Sequence, residues 1–176
     1  MNIVCMSSKL VKPTMEYGAS FVDAMEELRL RKEDGFFRAL GSPRTVAKYI
    51  RMVENHANKQ ELPLGWNSYT TFWLVDDDTF IGELHLRHTL TDYLRNYGGH
   101  IGYTIRPTYR AQGYGTQILA LALPEIKKMG YDRVLVTCDE TNIASKKIIE
   151  TNGGVFEKAN SQGKYLPKKL LYWITV

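Results

Sequence analysis

Arg110, Gly113 and Gly115 follow one another as Arg-x-x-Gly-x-Gly, between an apolar β-forming run that stops at Pro107 and the helix-forming stretch Ile118 to Leu123. A strand, a glycine-bearing turn and a helix aim several backbone N–H groups at one point. The positive end of the helix dipole stands behind them, so that point suits an anion. Glycine reaches backbone conformations closed to other residues and lets a ligand come close, and Arg110 adds a cation at the mouth. A second set of residues suits proton transfer. His100 opens the run His100 to Arg106, and an imidazole of pKa about 6.5 can accept a proton near neutrality. Glu83 and His85 share one face of the preceding strand by period two. Each of these also has a plain structural reading, as a strand residue with satisfied or solvated polar atoms.

Spacing separates the known uses of such a loop. A phosphate loop of the Walker type ends in Gly-Lys-Ser/Thr, whereas Gly115 is followed by Thr116 and Gln117. A dinucleotide fingerprint needs a third glycine where Ile118 stands. The downstream chain narrows the reading further. Arg133 to Cys138 is a compact strand and Asp139 to Asn142 a turn, and Ile143 to Thr151 reads as a helix stopped by Asn152-Gly153-Gly154. Val155 to Lys158 opens another strand.

The combination of Arg110-x-x-Gly113-x-Gly115, Asn142 and Glu150-x-x-Gly153 resembles the cofactor half of the GCN5-related N-acetyltransferases, over Pro107 to Phe156. The resemblance implies an α+β fold in α/β/α layers. Its twisted sheet would be mixed but mostly antiparallel and flanked by helices, with central strands, the fourth and fifth, splayed apart. It implies acetyl-coenzyme A as co-substrate, no metal, and an amine of a small molecule or peptide as acceptor. Tyr103 and Ile105 would lend main-chain groups to the pantetheine arm. Gln112, Gly113, Tyr114, Gly115 and Thr116 would offer amides to the pyrophosphate behind Arg110. Asn142 would face the pantetheine or phosphate side while also capping a helix, and Lys146 or Lys147 would lie near the 3′-phosphate. In many relatives a carboxylate stands just before Ile-Gly-Tyr; here that slot holds His100, which makes His100 the favoured base and Glu83 the next. The tyrosine that often protonates the leaving thiolate would fall at Ile149, so that acid is missing. Tyr103 and Tyr114 are the substitutes to consider.

Acetyl transfer demands a neutral amine, and a lysine-like amine of pKa about 10.4 is free base in only about one molecule in a few thousand at pH 7. A general base, or a site that lowers the amine's pKa, must supply the difference. The missing tyrosine also leaves a second reading open, a non-catalytic acyl-coenzyme A sensor or scaffold of the same fold.

The 176 residues suffice for one domain, 1–176, with a substantial core. No apolar run approaches the roughly 18 residues of a membrane span; no signal-peptide core appears, and a cytoplasmic protein is expected. The net charge of +4 comes from scattered Lys and Arg rather than a basic stripe, so nucleic acid is not expected as a partner. A homodimer is left open. Cys5 and Cys138 read as reduced thiols, Cys138 buried in a strand. Upstream, Lys9 to Lys12 reads as a strand and Ser20 to Arg31 as an amphipathic helix with Phe21, Met25 and Leu28 inward. Ser42-Pro43 opens a helix to Ala57, with Val46, Ile50 and Val53 as its stripe. Tyr69 to Val75 and Phe80 to Arg87 pair as a hairpin through Asp76-Asp77-Asp78. His88 to Gly99 reads as a lid or short helical insert in which Asp92 and Tyr93 could select a cationic amine. Pro124 should kink or shorten its helix.

Overall fold

A computed structural model of the chain describes residues 8–34 and 43–176. Seven strands form one sheet in the order β1-β2-β3-β4-β5-β7-β6. They are β1 (Lys9–Val11), β2 (Tyr69–Asp76), β3 (Thr79–Arg87), β4 (Ile101–Ile105), β5 (Arg133–Asp139), β6 (Val155–Asn160) and β7 (Lys169–Thr175). All neighbours are antiparallel except β4 and β5, which run parallel. β2 and β3 are buried on both faces almost throughout, which explains why they read as near-continuous β-formers. Their hairpin closes with Asp76 opposite Thr79, and Asp77 takes a positive φ of 48° that a short polar side chain tolerates.

Helices cover both faces. α1 (Gly18–Leu30) and α2 (Val46–Ala57) lie on one side, over a core of Phe21, Tyr49, Val53, Tyr69, Trp73 and Phe80. On the other side, α3 (Tyr114–Lys128) and α4 (Ile143–Thr151) cover Phe72, Leu84, Leu86, Ile101 and Val136. The expected α+β layers are therefore present. Three local expectations need correction. The cap of α2 is Thr45, whose hydroxyl accepts the Lys48 N–H at 3.2 Å; Pro43 precedes the helix, and the expected cap Ser42 lies outside the described residues, as does Cys5. The buried stripe of α2 is Tyr49, Val53 and His56, with Val46 and Ile50 only partly covered. Pro124 does not shorten α3, which continues four residues past it. Pro124 and Ala120, whose carbonyl loses its helical partner, are both exposed, so water takes over that carbonyl.

The sheet's one parallel junction is short. Ile101 pairs with Val136, and the His100 N–H donates to the Leu135 carbonyl at 2.7 Å. Beyond that point β4 stays with β3 as far as Ile105 and β5 stays with β7 as far as Asp139, so the two strands part. A cavity of about 710 Å³ fills the opening.

Candidate active site

The opening between β4 and β5 is walled by Gly102, Tyr103, Thr104 and Ile105 on one side and Thr137, Cys138 and Asp139 on the other. Asn142, Ser145 and Ile148 of the α4 region and Gly115 of α3 close its far end. The two glycines of the loop have different jobs. Gly113 precedes α3 with φ 90°, a left-handed turn that strains other residues. At Gly115 a Cβ would meet Ile148 Cδ1 at 2.5 Å and reach toward Ile105, so its missing side chain keeps the cavity's end open. The first helical hydrogen bond runs from Gln117 N–H to Gly113 C=O, leaving the amides of Tyr114, Gly115 and Thr116 without a helical acceptor. Arg110 does not stand free at the mouth: its guanidinium pairs with Glu33, and its Nε donates to Ile105 C=O at 3.0 Å. Gln112 donates to Thr108 C=O at 3.0 Å. Asn142 caps α4 by accepting the Ser145 N–H and also lines the cavity. Lys146 reaches Glu150 at 3.9 Å.

Of the two candidate acids, only Tyr103 lines the cavity. Its hydroxyl meets Ser145 Oγ at 2.8 Å, and burial pushes its pKa up to about 12, so it holds its proton. Tyr114 is committed elsewhere, donating to Asp76 Oδ2 at 3.0 Å. Ile149 is fully buried in the core between α3, α4 and the sheet. The side chains that α4 presents to the cavity are Ala144, Ser145 and Ile148.

On the opposite face of the sheet, Glu83 is 7% exposed and hydrogen-bonded twice. Tyr49 Oη donates to its Oε2 at 2.6 Å, and His85 Nε2 lies 3.3 Å from its Oε1. His85 Nδ1 meets Thr71 Oγ1 at 3.0 Å. Burial alone would push the Glu83 carboxyl up, but the charge and hydrogen bond of His85, with the Tyr49 bond, outweigh it and hold Glu83 below its ordinary value. The buried Trp73 indole N–H has no partner in hydrogen-bond geometry but lies close enough to favour the carboxylate. Strand register places His85 opposite Gly102 and Glu83 opposite Thr104, the two residues of β4 that share their face and line the cavity.

His100 is placed differently from that expectation. Its Nδ1 accepts the Leu135 N–H at 2.8 Å, and its ring packs against Tyr131 and Trp173. Burial, then Arg95 and Arg87, push its pKa down to about 4. The neutral ring thus carries its proton on Nε2 and has spent its lone pair inside the β4–β5 junction, which leaves no nitrogen for base duty. His88 is likewise structural, held between Thr70 Oγ1 and Ser68 Oγ.

A second cavity of about 470 Å³ opens on the Glu83 face, lined by Trp66, Tyr69, Tyr93, Leu94 and Arg87, with Thr91 and Asn67 at its rim. Tyr69 stands edge-on to His85, ring centroids 5.6 Å apart. Arg87 lines this cleft and the β4–β5 cavity together. The insert does contain a wide helical turn, Leu94–Gly98. Tyr93 faces the cleft, but Asp92 is exposed and outside its lining. Sequence reasoning missed Arg87, Tyr49, Trp66 and Ser145. Arg87 was within reach, since the period-two step that joins Glu83 to His85 continues to it.

Known proteins agree with this architecture. The sequence model of the Acetyltransferase (GNAT) domain matches residues 23–155, and the chain belongs to that family. It is an N-acetyltransferase that takes its acetyl group from acetyl-coenzyme A. Among solved structures, a ribosomal L7/L12 alpha-N-protein acetyltransferase in complex with coenzyme A is 16% identical with a TM-score of 0.69, over 99% of this chain and 98% of that one. An acetyl transferase from Salmonella typhimurium that modifies the N-terminal serine of L7/L12 is 14% identical with a TM-score of 0.63, over 96% and 95%. The microcin C7 self-immunity acetyltransferase MccE, in complex with acetyl-CoA and AMP, is 13% identical with a TM-score of 0.66, over 96% and 92%. At such identities the likeness is one of fold. No curated protein sequence matches the chain. No described helix is long and apolar enough to cross a membrane.

Proposed function

We propose that residues 1–176 act as one cytoplasmic acetyltransferase domain on a small-molecule amine, with the co-substrate in the β4–β5 opening and the amine in the Trp66–Tyr69 cleft. The observation that carries this is the shared wall: both cavities are bounded by Arg87, so a nitrogen in one can reach a carbonyl carbon in the other. The chain's groups suit the co-substrate. Free amides of Tyr114, Gly115 and Thr116 face a diphosphate, Gly115 leaves room for it, and the parted edges of β4 and β5 offer main-chain partners, Tyr103 and Ile105 among them, to an extended amide arm.

Bound acetyl-coenzyme A supplies an activated acyl group and a thiolate leaving group. Glu83 is the proton acceptor in this reading, on the same face of β3 as His85 and Arg87. A carboxylate held ionised in a buried pocket, with Tyr49 and His85 fixing its orientation, is the group on this face that can take up the amine proton as the nitrogen attacks. Tyr103, protonated and inside the co-substrate cavity, is placed to return a proton to sulfur, with Ser145 holding its hydroxyl.

Calorimetry with acetyl-coenzyme A, followed by thiol release with amine acceptors, tests the reading. Binding with release is the expected result; failure of well-folded protein to bind at millimolar co-substrate would end it.

A further inference from the structure

Arg87 is a charge without a counter-charge. It ends β3 on the same face as Glu83 and His85, and it is half-buried between the two cavities. Its Nη1 donates to the carbonyls of Gly98 and Gly99, both at 3.1 Å. The N–H groups on Nε and Nη2 meet no acceptor, and no carboxylate pairs with the side chain, among the described residues. Glu83 does not serve, being engaged by Tyr49 and His85. A guanidinium has five donors in a rigid fork, and its unused edge matches the two oxygens of a carboxylate. Partial burial makes an unpaired cation costly, since water is excluded from the donors. The cleft itself adds no negative charge: the residues lining it with Arg87 are Gly65, Trp66, Asn67, Tyr69, Thr91, Tyr93 and Leu94, none of them acidic. Arg95 and Arg87 together depress His100, a sign that the local field is positive.

Such a pocket is wrong for a polyamine or a lysine-rich tail. Its cation repels a second ammonium, and its remaining walls are aromatic and apolar. It is right for an amine with a carboxylate close by. We propose that the acceptor is an α-amino acid, or a small molecule likewise carrying a carboxylate beside its amine, with an apolar or aromatic side chain. The free edge of Arg87 binds the carboxylate, and the side chain lies against Trp66, Tyr69, Tyr93 and Leu94. Held at Arg87, the adjacent nitrogen lies where the cleft meets the β4–β5 opening, with His85 on the same face. This rests on the acetyltransferase reading above and names the substrate class for that site.

The test compares L-phenylalanine, L-phenylalaninamide, 2-phenylethylamine and spermidine as acceptors for the unaltered protein, by thiol release at saturating acetyl-coenzyme A. L-Phenylalanine is expected to exceed the amide in kcat/KM by about tenfold or more, the worth of a charge-assisted hydrogen-bonded pair, and chiefly through KM. The amide's ammonium is the more acidic, so more of its amine is free base at neutral pH, which makes a preference for the acid telling. In Arg87→Met the ratio of acid to amide should collapse toward one, and Arg87→Lys should restore part of it. The proposal is overturned if the amide or spermidine is preferred, if no acceptor in the panel is used, or if the ratio survives Arg87→Met. Calorimetry on the same protein separates these failures from a failure of the acetyltransferase reading, because only the latter abolishes acetyl-coenzyme A binding. If Arg87→Met does not fold, the acid-to-amide ratio of the unaltered protein decides alone.

Discussion

The two sides of the proposed active site are made of different material. The co-substrate side, from β4 through α4, is chiefly backbone: free amides at the start of α3, strand edges that part after Ile101, and a missing side chain at Gly115. The acceptor side is chiefly side chains gathered from distant segments. Tyr49 of α2 holds Glu83 of β3, Thr71 of β2 holds His85, and Arg87 reaches the carbonyls of Gly98 and Gly99. A backbone-built site tolerates wide sequence change so long as its glycines and strand ends remain. A side-chain-built site can change its ligand with one substitution, so in the proposed reading the specificity falls to the acceptor half.

Substitutions can break this contrast or sharpen it. The largest effect is expected from Glu83→Gln, which keeps shape but removes the proton acceptor. Turnover should fall about 10²- to 10⁴-fold while calorimetry finds acetyl-coenzyme A binding as before; near-normal turnover would move the base elsewhere. Gly115→Val should act on the other half, because its side chain would press on Ile148 and fill the cavity's end. Overpacking of about 1–3 kcal/mol predicts a co-substrate Kd raised by about one to two orders of magnitude, read by the same titration. An unchanged Kd would mean that the diphosphate does not lie there. Tyr103→Phe should lower turnover less than Glu83→Gln does, with the loss shrinking as pH rises and water takes over proton delivery; a loss as large as that of Glu83→Gln would assign Tyr103 more than thiolate protonation.

The smallest catalytic effect is expected at His100. Outside both cavities, it should tolerate His100→Gln with near-normal turnover, and its effect should appear in stability instead. The folded-state pKa of His100 is depressed to about 4, and burial lowers those of His56 and His88 as well. Between that value and the ordinary one near 6.5, the unfolded chain binds protons that the folded chain does not. Stability is therefore lost as pH falls from about 6.5 toward 4. Thermal melts across that window should show a steep decline for the native protein and a shallower one for His100→Gln. Equal slopes would place the acid sensitivity in other groups.

Most of the fold could be read in advance where the signal was local. The β2–β3 hairpin, the glycine loop and the segment from β5 to α4 fell within a residue or two of their expected limits, whereas α3 extends four residues before and five beyond the expected Ile118 to Leu123. His100 misled because a strand histidine in a carboxylate's slot looks like a base until its Nδ1 is seen to take the Leu135 N–H. Ile149 looked like a vacant acid position, although its side chain faces the core and Ser145 faces the cavity. Helix phase decides such questions, and an error of one or two residues moves a side chain to another face.

Residue order alone determined the glycine loop, because a left-handed glycine, a second glycine and a helix start act through the backbone within a few positions of one another. Only tertiary structure decided which carboxylate is buried beside a histidine, which candidate tyrosine lines the cavity and which half-buried arginine has no carboxylate beside it among the described residues. Those properties depend on pairings such as Tyr49 with Glu83, 34 positions apart, and the energy of a buried charge is set by all of its neighbours in space at once.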